Sequence, residues 1–160
     1  MSAMTPPSGR FEGPLHVLPV RVYYEDTDAA GIVYYANYLR FIERARTEMM
    51  RRFGLDHTAM AGQDGIAFAV RRIEGDYLSP ARLDDALDIH SEVRAIKGAS
   101  LIMAQAVVRP GPDGPATLAR FSLTLACMTL ADGRPARLPA DLRRRLRDFA
   151  AAAPLTQPNT

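Results

Sequence analysis

Residues 35 to 53, YANYLRFIERARTEMMRRF, set the condition that any fold of this chain must meet. Tyr38, Phe41, Ile42, Ala45, Met49 and Phe53 recur at steps of three and four, so on a helix they form one apolar stripe. Arg40, Glu43, Arg44, Thr47 and Arg51 fall largely on the other side. The spacing predicts an amphipathic helix of about five turns, with Gly54 as its stop. A stripe of that length needs a broad apolar surface to lie on.

Segments of period two supply that surface. In VLPVRVYYED, Val20, Val22 and Tyr24 face one way, and Arg21 and Tyr23 the other. Ile66, Phe68 and Val70 share a face in the next such run. Leu87, Ile89, Val93 and Ala95 then oppose Asp88, His90, Glu92 and Arg94. KGAS reads as a tight turn with Gly98 at positive φ, and SLIMAQAVVR as its hairpin partner. PGPDGP is a second turn, and ATLARFSLTLACMTL a last strand, apolar on both faces. Residues 140 to 150 form a short basic helix. Residues 1 to 15 read as a loose arm and 151 to 160 as a disordered tail, leaving one domain over 16 to 150. One long helix against a mainly antiparallel five-stranded sheet is an α+β layer architecture. A single helix covers one face of such a sheet, so the other face and the doubly apolar last strand predict a homo-oligomer.

Of the 160 residues, 48% are hydrophobic and 24% charged, which suits one globular domain. A formal charge of +2 gives no electrostatic case for a nucleic-acid partner. Cys127 is the single cysteine; it excludes an intrachain disulfide and reads as a buried structural thiol. MSAMTPPSGRFEGP has no apolar core of a secretory signal, and no run approaches the roughly 20 apolar residues of a membrane span. The expected setting is cytoplasmic. His16, His57 and His90 show no metal-ligand spacing, so no metal is expected.

The acidic stretch YYEDTDAAG joins the first strand to the helix. Helix-initial N–H groups lack intrahelical acceptors and carry partial positive charge, so they can hold an anion or a carbonyl oxygen becoming one. A carboxylate beside them completes half of an acyl-transfer site, either attacking the carbonyl or deprotonating a water that does. The same residues serve as turn formers and N-caps in many proteins. Asn37 is placed to cap the helix or to bond the loop, and Tyr34 and Tyr38 to pack on the sheet or line an acyl pocket.

RVYYEDTDAAGIVYYANYLRFIERARTEMM resembles the signature of the YbgC-type acyl-CoA thioesterases. These are hotdog-fold proteins associated with the Tol-Pal envelope system and related to 4-hydroxybenzoyl-CoA thioesterase. The pattern D-T-D-x-x-G-x-V-Y falls here on Asp26, Thr27, Asp28, Gly31, Val33 and Tyr34, and E-R-A-R on Glu43, Arg44, Ala45 and Arg46. The likeness continues through residues 67 to 89 and KGASL. It implies a hotdog: one long central helix wrapped by a curled, mainly antiparallel sheet, assembled as a dimer or tetramer. It implies hydrolysis of an acyl-CoA to the free acid and coenzyme A. Asp28 is then the catalytic carboxylate, and the Tyr35 backbone N–H polarises the thioester carbonyl. Asp26 and Gly31 shape the loop. Many YbgC-type members have histidine where this chain has Tyr35, whereas the 4-hydroxybenzoyl-CoA enzymes have tyrosine; a tyrosine side chain, with a reference pKa of about 10, is no base at neutral pH.

Lys97 and Ser100 are the candidate contacts for coenzyme A, which enters as part of the substrate; no other cofactor is implied. Arg143 to Arg147 form a basic run suited to acyl carrier protein or an anionic membrane surface, or simply to a helix C-terminus. The rival readings are a hotdog hydratase, disfavoured because the acidic loop has no histidine, and a non-catalytic acyl-CoA or acyl-carrier-protein binding module or scaffold.

Overall fold

The computed structural model describes residues 4–55 and 57–152. Six strands, β1 (Arg10–Glu12), β2 (Leu15–Arg21), β3 (Ile66–Tyr77), β4 (Ala86–Ile96), β5 (Ser100–Arg109) and β6 (Ala116–Thr129), form one sheet in the order β1-β2-β4-β5-β6-β3. Every neighbouring pair is antiparallel. The helices are α1 (Asn37–Arg52), the short α2 (His57–Ala59) running into a π turn, and α3 (Ala140–Ala151).

The helix predicted from residue 35 starts two residues later, and its whole apolar stripe is buried. It ends where Gly54 takes a left-handed φ of 78° and its N–H bonds the Arg51 carbonyl. The sheet curls around this stripe. Register shifts at Val70/Arg72, Val93/Ala95 and Val107/Val108 mark irregularities of the bulge kind, which bend strands and raise their twist. The first half of α1 packs Tyr38, Phe41, Ile42 and Ala45 against Leu18, Leu87, Ile89, Val107 and Leu123. The second half packs Met49, Met50 and Phe53 with Val93, Met103 and, from α3, Leu142, Leu146 and Phe149. Burying side chains the size of Phe41 or Ile42 stabilises the fold by about 1.5–3 kcal/mol each. Gln105, 2% exposed, fixes α1 on the sheet: its amide donates to the Ile42 carbonyl and to Ser91 Oγ, and its oxygen accepts from Arg46. Burial lowers the Arg46 pKa.

The structure corrects three expectations. The sheet has six strands, because Arg10–Glu12, inside the supposed loose arm, pairs with β2. Three residues are too few to show a period, so the strand left no pattern in the sequence. The last strand is not apolar on both faces: Leu123, Leu125 and Cys127 point inward, while Ser122 is exposed and Thr124 and Ala126 are half-buried on the other side. The Lys97–Gly98 turn closes through Lys97 N–H to the Ser100 carbonyl without a left-handed glycine. The tail from 153 onward lies outside the described residues. The run Arg143–Arg147 is largely engaged by its own chain: Arg143 donates to the Lys97 and Gly98 carbonyls, Arg144 and Arg145 pair with Asp141, and Arg145 also bonds the Phe53 carbonyl. No helix among the described residues is long and apolar enough to cross a membrane.

His16 is fully buried, stacked edge-on against Phe11, and bonded through Nε2 to the Ser8 carbonyl at 2.8 Å. That acceptor requires the proton on Nε2, leaving Nδ1 buried without a partner. Burial holds the imidazole below its ordinary value, and does the same for His90. The unfolded chain therefore takes up protons first, so stability is full above about pH 6.5 and is lost as pH falls through the lowered folded value. Thermal unfolding between pH 8 and 5 is expected to show the melting temperature falling below about 6.5, with a shallower fall in His16→Gln. An equal slope in that variant would remove His16 from the account.

Candidate active site

The loop between β2 and α1 is organised by Asp26. This carboxylate is 4% exposed; it accepts from the Tyr23 N–H at 2.8 Å and from Asn37 Nδ2 at 2.6 Å. It closes the 3-10 turn Tyr24–Asp26 and ties it to the first residue of α1. The Asp26 carbonyl accepts from the Tyr34 N–H at 2.9 Å, folding the loop back on itself. Between these points the chain makes a small tongue. Thr27 bridges Val33, and Asp28 N–H donates to the Ile32 carbonyl. Gly31 N–H returns to the Asp28 carbonyl with φ at 75°. A side chain at Gly31 would meet open space, so that angle is what calls for glycine. Val33 N–H to the Ala81 carbonyl and the Ile32–Arg82 bridge fasten the tongue to the segment after β3.

Asp28 sits at the tip of the tongue, exposed. Its Oδ1 accepts from the Ala30 N–H at 2.8 Å; Oδ2 takes no protein donor among the described residues. Tyr35 follows the return limb at the mouth of α1. Asn37 N–H bonds the Tyr34 carbonyl at 2.8 Å, whereas the Tyr35 N–H donates to no protein acceptor among the described residues. Ala36, the N-cap, offers no side-chain bond. The fold thus brings a free carboxylate oxygen and a free helix-initial N–H to one loop.

Around the mouth stands a cluster of tyrosines. Tyr35 meets Tyr34 and Tyr77 edge-on, and Tyr77 meets Tyr38 and Phe121. Tyr38 is buried, and its Oη accepts from the Ala81 N–H at 2.9 Å. Tyr77 Oη donates to the Tyr35 carbonyl at 2.9 Å. Burial raises the pKa of both phenols. The sequence pattern did not single out Tyr77, since its contact spans 42 residues and links a strand end to a helix mouth.

Lys97 and Ser100 lie elsewhere. The acidic loop leaves β2 at Arg21, which pairs with Ala86 at the start of β4; Lys97 follows Ile96 at its far end. Eleven residues of strand separate the two places by roughly 33 Å within one chain. Lys97 is exposed, and Ser100 is buried at 8%. A recess of about 620 Å³ has no residue of the acidic loop in its lining; it lies among His90, Glu92, Arg94 and Arg120. Among the described residues no group of three or more His, Cys, Asp or Glu is placed to hold a metal.

A curled antiparallel sheet on one long helix, with an acidic loop at the helix mouth, defines the hotdog class of thioesterase-like proteins. Comparison with known proteins agrees: the Thioesterase-like superfamily profile matches residues 22–146. The acyl-CoA thioesterase YbgC of Haemophilus influenzae is 38% identical over 125 residues, covering 78% of this chain and 89% of that protein. The acyl-CoA thioester hydrolase YbgC of Escherichia coli is 50% identical over 90 residues, covering 56% and 66%. The crystal structure of a probable thioesterase from Bartonella henselae superposes with a TM-score of 0.72 at 35% identity, covering 78% of this chain and 99% of that one. The chain belongs to the YbgC-type family of the thioesterase-like superfamily.

Removing the Asn37 amide leaves the buried Asp26 carboxylate one donor short. Asn37→Ala is expected to cost about 1–3 kcal/mol in urea unfolding, and Asn37→Asp more at pH 8, where two carboxylates face each other. Equal stability of Asn37→Ala and the parent would show that the pair does not anchor the loop.

Proposed function

We propose that this chain is an acyl-CoA thioesterase that uses Asp28 as its carboxylate catalyst. The observation that carries the reading is the pairing, in one loop, of the unengaged Asp28 Oδ2 with the unengaged Tyr35 N–H. The Tyr35 N–H, at the positive end of α1, donates to the thioester oxygen and stabilises the oxyanion that forms when the carbonyl carbon becomes tetrahedral. In one route Asp28 takes a proton from water while the hydroxide adds to the carbonyl carbon. In the other, Asp28 adds directly, coenzyme A leaves, and water hydrolyses the acyl-aspartate anhydride. In both, the C–S bond breaks, the thiolate of coenzyme A departs and takes up a proton, and the acid is released. Neither needs an imidazole, so tyrosine at position 35 is compatible with the chemistry.

Asp28 is exposed in a single chain, and water has free access to it. A second copy is the natural cover, and β3 is where it docks in this proposal. β3 pairs only with β6, so its outer edge presents unpaired backbone along 12 residues. Val70, Ile73 and Tyr77 along it are 46%, 40% and 48% exposed. Tyr77 at its end touches the helix mouth, so pairing of two β3 edges closes over the site. An antiparallel β3 pair also brings the far end of the partner's sheet, where Lys97 lies, to the side of the acidic loop. That arrangement retains Lys97 as a proposed coenzyme A contact from the second subunit.

Free-thiol release from acyl-CoAs of short, medium and long aliphatic chains, with benzoyl- and 4-hydroxybenzoyl-CoA, is the direct test. Turnover is expected for the parent, and at least a hundredfold loss of kcat in Asp28→Asn with an unchanged melting temperature. Full turnover in that variant would move the catalyst elsewhere, and no turnover on any substrate would overturn the function. The assembly is tested separately. Light scattering is expected to give at least twice 17.6 kDa for the parent, and a smaller species for Ile73→Lys at the β3 edge. A monomeric parent would remove the dimer.

A further inference from the structure

We propose that Tyr77 is a positioning residue for the Tyr35 N–H: its hydroxyl holds the helix mouth in the orientation that polarises the thioester carbonyl. The inference rests on the thioesterase reading above and adds to it a residue outside the D-T-D loop.

The Tyr34–Tyr35 peptide, which carries the donor, is held at its carbonyl by the Asn37 N–H, and the peptide before it is held where the Tyr34 N–H bonds the Asp26 carbonyl. The peptide that follows has a single protein hydrogen bond among the described residues, from Tyr77 Oη to the Tyr35 carbonyl at 2.9 Å. Tyr35 is 63% exposed, and its ring meets Tyr34 and Tyr77 edge-on rather than packing into the core. The Tyr35–Ala36 peptide shares the Tyr35 Cα with the peptide that carries the donor, so freeing the Tyr35 carbonyl lets that Cα shift and takes the N–H with it; a hydrogen bond weakens steeply as its angle closes below about 120°. A donor misplaced by about 1 Å is worth up to a hundredfold in rate.

Tyr77 is itself well fixed. Its ring is met edge-on by Tyr38 at 5.3 Å and Phe121 at 5.8 Å between centroids. Gly75, two residues earlier on β3, lets the Phe121 ring lie over the strand; a Cβ there would collide with that ring. Leu78 and Ser79 N–H both bond the Leu118 carbonyl, at 2.8 and 3.1 Å, and hold the strand end on β6. A rigid strand end thus reaches across to the one otherwise unheld peptide beside the donor.

Tyr77→Phe keeps the ring contacts and deletes the hydroxyl. With the acyl-CoA that the parent turns over fastest, kcat is expected to fall about tenfold with KM within about twofold. In the Asp28→Asn background, the carbonyl stretch of that acyl-CoA, labelled with ¹³C, is expected to lie closer to its free value when Tyr77 is also Phe. A loss of general structural integrity would lower the melting temperature without this frequency change. The ¹³C resonance of the Tyr35 carbonyl in the ligand-free protein gives a reading independent of turnover, and is expected to shift in Tyr77→Phe. An active parent with unchanged kcat, stretch and resonance in the variant would overturn the inference and leave the thioesterase reading standing. A raised KM at constant kcat would overturn it too, by making Tyr77 a substrate contact. An inactive parent would remove the thioesterase reading, and this inference with it.

Discussion

A buried carboxylate is costly unless donors surround it, and Asp26 has two: the Tyr23 N–H and the Asn37 side chain. Its side chain and its carbonyl together grip the start of the loop, the return limb and the first turn of α1. The exposed Asp28 owes its position to that buried neighbour. Of two acids in one short motif, one is spent on architecture, while the other's second oxygen has no protein partner among the described residues.

The same division of labour runs through the larger fold. The first half of α1, Tyr38 included, packs with Val33 of the loop and Ala81, and its second half meets α3. Gln105 locks the helix to β4 and β5 near the middle of its length. The body of α1 therefore cannot slide on the sheet without breaking a buried amide's bonds, which cost about 1–3 kcal/mol each to leave unmade. The sheet ends in two edge strands, the three-residue β1 and the twelve-residue β3, so β3 offers the longer edge.

Where contacts are local, the residues announced them. The three-four spacing of α1 named six positions that are all buried, missing Met50 beside them, and the glycine at 54 gave its stop, because a helix face is written in consecutive residues. The alternation of β4 was equally plain. β1 escaped notice because three residues carry no period, and β6 was misjudged because small residues such as Ala126 read as apolar whether or not they are buried. Asp26, Asp28 and Gly31 could be named from their motif, but the burial that separates Asp26 from Asp28 could not. Lys97 and Ser100 were nominated from a turn that one chain places at the far end of β4. Tyr77 carried no signal at all, since its partner is a backbone carbonyl 42 residues away.

The placement of the tyrosines has an optical consequence. The chain has six of them and no tryptophan. Tyr23 and Tyr24 belong to the acidic turn, Tyr34, Tyr35 and Tyr38 to the helix mouth, and Tyr77 to the strand end that touches it. The near-ultraviolet absorption and emission of the native protein therefore arise almost wholly from one corner of the molecule. Ring-to-ring spacings of 5.0 to 6.3 Å couple four of these chromophores, Tyr34, Tyr35, Tyr38 and Tyr77. The protein carries a built-in dichroic and fluorescent probe at the place where its chemistry is assigned, with no label to attach.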